Sequence, residues 1–148
     1  MFLEKSSNSS EPNDTKVELE IRENDEAFGR PLSQILSDLR KPIPAHIVHT
    51  RQQGGRRVKY LSMEDTIAIL DQYAPGWEGT ISNIYSTRDR IFIAYRLTIH
   101  AKEGTFSREA TGSFQMDPGN NQQNDPSSMA ESAALRSAAA KFGLALYL

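Results

Sequence analysis

The clearest hydrophobic pattern in this chain is an alternation of large aliphatic positions over residues 91–100. Because successive side chains of a β-strand point to opposite faces of a sheet, the alternation predicts a half-buried strand. The face predicted to be core carries Ile91, Ile93, Tyr95, Leu97 and Ile99. The opposite face carries Phe92, Ala94, Arg96, Thr98 and His100. Turn residues at 87–89 and 102–104 flank the strand, so residues 77–115 are predicted to form a three-stranded antiparallel meander.

Three other segments have helical spacing. Apolar residues recur at helical intervals over residues 32–39, after a proline at the predicted first helical position and before two further prolines. Ser62 is a predicted N-cap for a helix that runs to Tyr73. A final helix is predicted from about Ser128 to Tyr147. Its predicted buried stripe consists of Met129, Leu135, Ala138, Phe142 and Leu146.

Residues 48–60 are predicted to form a β-hairpin. Gly54 and Gly55 supply the positive-φ residues that a tight turn needs. We expect Val48 and Val58 to face a common core. The opposite face would then gather the cations Arg51, Arg57 and Lys59.

These cations have no acidic partner nearby in the sequence, because no Asp or Glu occurs between residues 40 and 64. A hairpin tip exposed to solvent is one interpretation, since charges usually coat the outer side of a sheet. A second basic segment, Leu135–Gly143, carries Arg136 on an Ala-rich helix. Both segments are explained if a polyanion lies between them, and a nucleic acid strand is the polyanion we favour.

The predicted order is helix, hairpin, helix, meander and helix. This is an α+β fold in which helices cover one face of an antiparallel sheet (a βββα core). A chain of 148 residues supports one such domain, which we place at residues 28–148. Residues 1–27 contain eight acids and three bases and are expected to form a disordered acidic tail. The remaining residues contain fourteen bases and eleven acids, so the domain itself is mildly basic.

Several kinds of chemistry are not supported by the sequence. The chain has no cysteine, which excludes disulfides, thiolate zinc sites and cysteine nucleophiles. It has no glycine-rich phosphate loop, and His46 and His49 would point to opposite faces of a strand, so neither a nucleotide cofactor nor a metal site is predicted. No long apolar run predicts a membrane span. We therefore expect a binding protein without catalysis or cofactor, in the cytoplasm or on a bacterial nucleoid.

Three motifs, in order, carry a family resemblance. They are Arg51 with its Gly-rich hairpin and Val58-Lys59-Tyr60, then Ala74-Pro75-Gly76-Trp77, then Leu135-Arg136 with Phe142-Gly143. Over about residues 30–148 the chain resembles the annealing domain of the Rad fifty-two single-strand annealing proteins, including their bacterial relatives, the DNA damage response A proteins. The resemblance implies ATP-independent binding and annealing of single-stranded DNA in recombinational repair. It also implies a homo-oligomeric ring with the strand in a positive groove.

The resemblance also implies positions for the DNA contacts. Arg51 and Arg136 match cations of the family's inner groove, and Arg90 matches a cation of its outer site. With the other cations of the same segments, the predicted inner groove consists of Arg51, Arg57, Lys59 and Arg136. The predicted outer site consists of Arg90, Arg88 and Lys102. A single-strand-binding protein is a further candidate partner.

Two alternatives stay open at this point. A double-stranded RNA-binding module has the same order of helix, meander and helix, but it begins its last helix with lysines, whereas residues 128–131 here are uncharged or acidic. A small ligand-binding or enzymatic α+β domain would use the concave face of the sheet. Thermal shifts with nucleotides, an RNA duplex and oligo-dT would separate the three functions.

Overall fold

A computed structural model describes residues 29–116 and 125–148 of the protein. The helices are α1 (Leu32–Leu39), α2 (Met63–Tyr73) and α3 (Pro126–Ala140), with a short 3-10 turn at Ala45–Ile47. The strands are β1 (Val48–Gln53), β2 (Arg56–Leu61), β3 (Glu78–Ser86), β4 (Arg90–Ala101) and β5 (Gly104–Gln115). This arrangement confirms the predicted α+β class. The predicted tail at residues 1–27 lies outside the described residues.

The strands form two antiparallel sheets, one of β1 and β2 and one in the order β3-β4-β5. In β4 the aliphatic face is the core face, because Ile93, Tyr95, Leu97 and Ile99 are buried and Ile91 is partly buried against them. The long apolar side chains of this face pack under α3, which lies on β4 and β5. The three-stranded meander is therefore held against the helix by its central strand, with β3 at an edge.

The approach of α3 to β5 depends on Gly112. A Cβ atom at this position would lie 2.3 Å from the backbone nitrogen of Ala134 and 2.4 Å from the carbonyl oxygen of Ala130. Both alanines are fully buried. Small residues on the helix and a glycine on the strand thus bring the two backbones into direct contact.

The final helix is shorter than predicted. It starts at Pro126 and ends at Ala140, and the chain then reverses through Gly143 (φ 105°) and Ala145 (φ 54°). A backbone hydrogen bond from the Leu144 nitrogen to the Ala139 oxygen (3.1 Å) caps the C-terminal end of the helix. Gly143 reaches the left-handed backbone region without the steric cost of a side chain, which explains the stop. The predicted buried stripe of the final helix therefore does not include Leu146, which is 68% exposed.

The hairpin turn is as predicted, with Gly54 at φ 58° and Gly55 at φ 79°. The prediction that Val48 and Val58 share a face is wrong. Val58 pairs with Arg51, and Val48 pairs with Leu61. Directly paired residues of an antiparallel ladder lie on the same face, so the two valines point to opposite faces.

The same register corrects the predicted grouping of the hairpin cations. Arg51 lies on the face of Val58, whereas Lys59 and Arg57 pair with Thr50 and Gln52 on the other face. Arg57 and Lys59 are exposed there. A two-residue turn pairs each odd-numbered residue of β1 with an even-numbered residue of β2. Arg51 therefore does not share a face with Arg57 and Lys59.

Candidate nucleic-acid interface

Two arginines from distant parts of the chain meet at one tyrosine ring. The guanidinium carbon of Arg51 lies 5.1 Å from the centroid of the Tyr60 ring, and that of Arg136 lies 5.5 Å from it. The hairpin supplies Arg51 and Tyr60 on one face, and α3 supplies Arg136. We call Arg51, Tyr60 and Arg136 the Tyr60 cluster. Both distances are within the range of cation–π attraction, so the ring holds the two cations in place.

The charges of the Tyr60 cluster are not neutralised locally. Among residues 29–116 and 125–148, no carboxylate lies within 4.0 Å of a cationic nitrogen of either arginine. The Nε of Arg51 is buried without a hydrogen-bond partner in that part of the chain. Burial lowers the pKa of Arg136, and the charge of Arg51 lowers it further, while Tyr60 acts in the opposite direction. A bound anion would relieve both the desolvation and the repulsion.

A cavity of about 290 Å³ opens beside the Tyr60 cluster. All three residues of the cluster line it, and Lys59 borders it as well. Its remaining walls are mainly aliphatic and include Leu61, Ala139, Ala140, Leu144, Leu146 and Leu148. The two arginines thus lie at the boundary between the charged and the aliphatic parts of the cavity wall.

A second cavity, of about 510 Å³, separates the hairpin from the end of the meander. Arg51 and Gly54 line one side, and Arg90 and Gln115 line the other. We call it the Arg51–Arg90 cavity. The Nη2 of Arg90 donates a hydrogen bond of 2.9 Å to the hydroxyl of Ser113, which fixes the guanidinium at the cavity wall. Arg51 lines both cavities and so joins the Tyr60 cluster to Arg90.

The structure brings some of the predicted DNA contacts together and separates others. Arg51, Arg136 and Arg90 lie along the two adjoining cavities, although Arg90 was predicted for a separate outer site. Arg88 lies in the turn just before Arg90 and is exposed. Lys102 follows the opposite end of the 12-residue strand β4, roughly 35 Å away at the usual rise of a strand.

His49 also belongs to this surface, although it was not among the predicted DNA contacts. Its ring centroid lies 5.6 Å from that of Tyr60, and its Nε2 lies 3.7 Å from a carboxylate oxygen of Asp65. The available signal was its spacing of two residues from Arg51, which puts both side chains on one face of β1.

The described residues contain no group of three or more His, Cys, Asp or Glu side chains placed to hold a metal ion. None of the helices in residues 29–116 and 125–148 is long and apolar enough to span a bilayer.

Comparisons with known proteins give one negative result and two matches. No protein-family model matches the sequence. "DNA repair RAD52-like protein 1, mitochondrial" of Arabidopsis thaliana is 33% identical over 123 residues, which cover 82% of this chain and 69% of that protein. "DNA repair RAD52-like protein 2, chloroplastic" of the same plant is 36% identical over 123 residues, which cover 80% of this chain and 61% of that protein.

Proposed function

The chain belongs to the family of RAD52-like DNA repair proteins, and from this premise we propose that it binds single-stranded DNA and anneals complementary strands without ATP. Membership of the family assigns it to DNA repair and recombination. The observation that carries the proposal is the Tyr60 cluster, in which two arginines contact one ring with no neutralising carboxylate from the part of the chain that the structure describes. A DNA phosphate is an anion of the kind such a pair binds.

The proposed mechanism is binding rather than catalysis. Arg136 and Arg51 hold phosphates at the Tyr60 cluster, and Arg90 holds a further phosphate across the Arg51–Arg90 cavity. Phosphate contacts carry little sequence information, so strands of any sequence bind. Because the protein contacts the phosphates of the DNA backbone, the bases stay available for pairing with a second strand. A single-strand-binding protein that delivers the strand is a proposed partner.

The other predicted cations have a different proposed role. Arg57 and Lys59 lie on the exposed face of the hairpin, and Arg88 and Lys102 lie in turns at opposite ends of β4. Of the four, Lys59 borders the cavity beside the Tyr60 cluster. We assign all four to long-range attraction of DNA, which does not require them to share one cavity. Their loss should slow association more than it weakens the bound complex.

The first test is the response of binding to salt and to the form of the nucleic acid. With three phosphate contacts per subunit, the logarithm of the binding constant for short oligo-dT should fall with the logarithm of salt concentration at a slope of about −2. Fluorescence anisotropy measures this slope, and blunt DNA duplex should bind more weakly. Dye-labelled complementary strands should pair faster with the protein present and no ATP added. Salt-independent binding, or a preference for RNA duplex, would contradict the proposal.

We also propose a closed homo-oligomeric ring. Every residue of the edge strand β3 is exposed, including the large apolar side chains of Ile81 and Ile84. Open edges and apolar patches of this kind are usually covered by another chain. A heterologous contact repeated between identical subunits closes a ring, as the family resemblance implies.

The ring predicts a mass several-fold above the 16.6 kDa of one chain in light scattering. Ile84→Asp should shift the mass downward, because a carboxylate at an apolar contact would be buried without a partner. Asn83→Asp is the matched control on the same strand, since it adds the same charge at a polar position. A wild-type protein that stays monomeric at micromolar concentration would rule out the ring.

A further inference from the structure

The exposed apolar side chains of the protein form two separate groups. Among the residues that the structure describes, the exposed large hydrophobic ones are Ile81, Ile84, Tyr85, Leu146, Tyr147 and Leu148. The first three belong to β3, and the last three form a stretch that we call the 146–148 segment. Neighbouring exposed apolar side chains mark a contact surface more often than single ones do. The chain therefore presents two candidate contact surfaces.

The group on β3 is exposed because α3 does not extend over this strand. Ile81 pairs with Tyr95 and Ile84 pairs with Ile93, and both partners are buried on the face that α3 covers. Directly paired residues lie on the same face of a sheet, so the two isoleucines point to the side of α3. The helix packs on β4 and β5, which leaves an uncovered apolar strip on β3 beside it.

The 146–148 segment follows a helix end that is held at the other edge of the meander. At this end of α3 the ammonium group of Lys141 donates to the carbonyl of Glu109. The guanidinium carbon of Arg108 lies 5.3 Å from the centroid of the Phe142 ring. Glu109 and Arg108 belong to β5, which is the edge strand opposite β3. Two different surfaces on different sides of a chain are what a head-to-tail contact between identical copies requires.

We propose that the 146–148 segment of one copy packs on the uncovered strip of β3 of the next copy. The inference rests on the proposed ring and supplies the second surface of its repeated contact. Because the contact is heterologous, every copy of a closed ring uses each of its two apolar groups once. Burial of apolar side chains from both groups stabilises the contact.

The contact also borders the DNA site. Leu146 and Leu148 line the cavity beside the Tyr60 cluster. A neighbouring copy that packs on these leucines forms part of the cavity wall. Ring formation and DNA binding are therefore coupled at this cavity, because each copy contributes to the site of its neighbour.

The absence of cysteine from the chain allows the contact to be tested by cross-linking. Ile84→Cys and Leu146→Cys are combined in one full-length chain, which is treated with a short bismaleimide. Each copy then carries one thiol on each surface of the repeated contact. Denaturing gels should show a ladder of covalent dimers, trimers and larger species, whereas each single variant should give monomers only. A chain with Ile84→Cys and Thr111→Cys is the matched control without a ladder, since Thr111 is exposed outside both groups.

Ile84→Asp tests the shared cavity wall. Ile84 lines neither the cavity beside the Tyr60 cluster nor the Arg51–Arg90 cavity of its own chain. The substitution should nevertheless weaken binding of short oligo-dT severalfold relative to Asn83→Asp, because it removes the neighbouring copy from the wall. Fluorescence anisotropy measures both affinities, and equal melting temperatures for the two variants exclude a folding defect.

The outcomes separate this contact from the ring itself. A double cysteine variant that keeps the several-fold mass of the wild type but gives no ladder would overturn the contact and leave the ring intact. Covalent dimers from Ile84→Cys alone would show that β3 meets β3, which would also overturn it. Equal binding of oligo-dT by Ile84→Asp and Asn83→Asp would overturn the shared cavity wall. A monomeric wild type would overturn the ring and the contact together.

Discussion

Replacing Arg51 or Arg136 with alanine is expected to weaken binding of oligo-dT by roughly 10-fold to 150-fold per subunit. A lost hydrogen bond to a charged group costs about 1.5 to 3 kcal/mol, which corresponds to this range of dissociation constants. Each variant should also lose one phosphate contact and so reduce the salt slope by about 0.7. Titrations by anisotropy at several salt concentrations measure both quantities.

The two arginine variants should not be additive, because both side chains contact the ring of Tyr60. Lys141→Ala is the matched control, since its ammonium group donates to the carbonyl of Glu109 and does not contact the Tyr60 ring. That variant should bind oligo-dT like the wild type. Loss of binding in Lys141→Ala with normal binding in Arg51→Ala would refute the Tyr60 cluster as the phosphate site.

Stability and binding should respond differently to the loss of the charge at Arg136. Its pKa is lowered in the folded protein, so folding disfavours the charged form. Removing the charge should leave stability unchanged or raise it while binding is lost, which separates a defect in binding from a defect in folding. An arginine stays protonated throughout the neutral range, so neither effect should vary with pH there.

Gly112→Val is expected to lower the free energy of unfolding by about 3 kcal/mol or more. Even the first added carbon would meet backbone atoms of Ala130 and Ala134 at 2.4 and 2.3 Å. Backbone cannot move aside as a flexible side chain can, so α3 must separate from β5 and leave poorly packed space beneath it. Urea denaturation followed by circular dichroism measures the loss.

Thr111→Ala is the control for this substitution, because Thr111 is the exposed neighbour on the opposite face of β5. This substitution should change the free energy of unfolding by no more than about 0.5 kcal/mol. A Gly112→Val protein that unfolds at the same urea concentration as the wild type would show that α3 does not pack on β5 as described.

The meander was predictable because its signal is local. The alternation in β4 identifies the buried face without knowledge of any other element. The hairpin register was equally available from the sequence, since a two-residue Gly54-Gly55 turn pairs Arg51 with Val58. The wrong face was predicted for Val58 because Val48 and Val58 were assigned to one face, without taking account of how the turn pairs the two strands. Gly143 likewise indicated where the final helix ends.

The candidate site was less predictable because it depends on how distant elements pack. Arg51 and Arg136 were singled out from their two basic segments and matched to groove cations through the family resemblance, but nothing in their spacing indicates that they meet at Tyr60. Arg90 lines a cavity with Arg51 only because the hairpin lies against the end of the meander. That placement is set by side-chain packing between separate sheets, for which the sequence has no periodic signal.

The division into two sheets has a mechanical consequence for the Arg51–Arg90 cavity. One wall belongs to the β1-β2 hairpin and the other to the meander, and no strand ladder joins the two sheets. Side chains alone set the width of the cavity, so the hairpin can tilt as a rigid flap without breaking a hydrogen bond of either ladder. Such a tilt would carry Arg51 and Tyr60 together, because both belong to the hairpin, and would move the Tyr60 ring relative to the guanidinium group of Arg136. The cleft can thus adjust its width as successive nucleotides enter, while the hydrogen-bonded sheets stay intact.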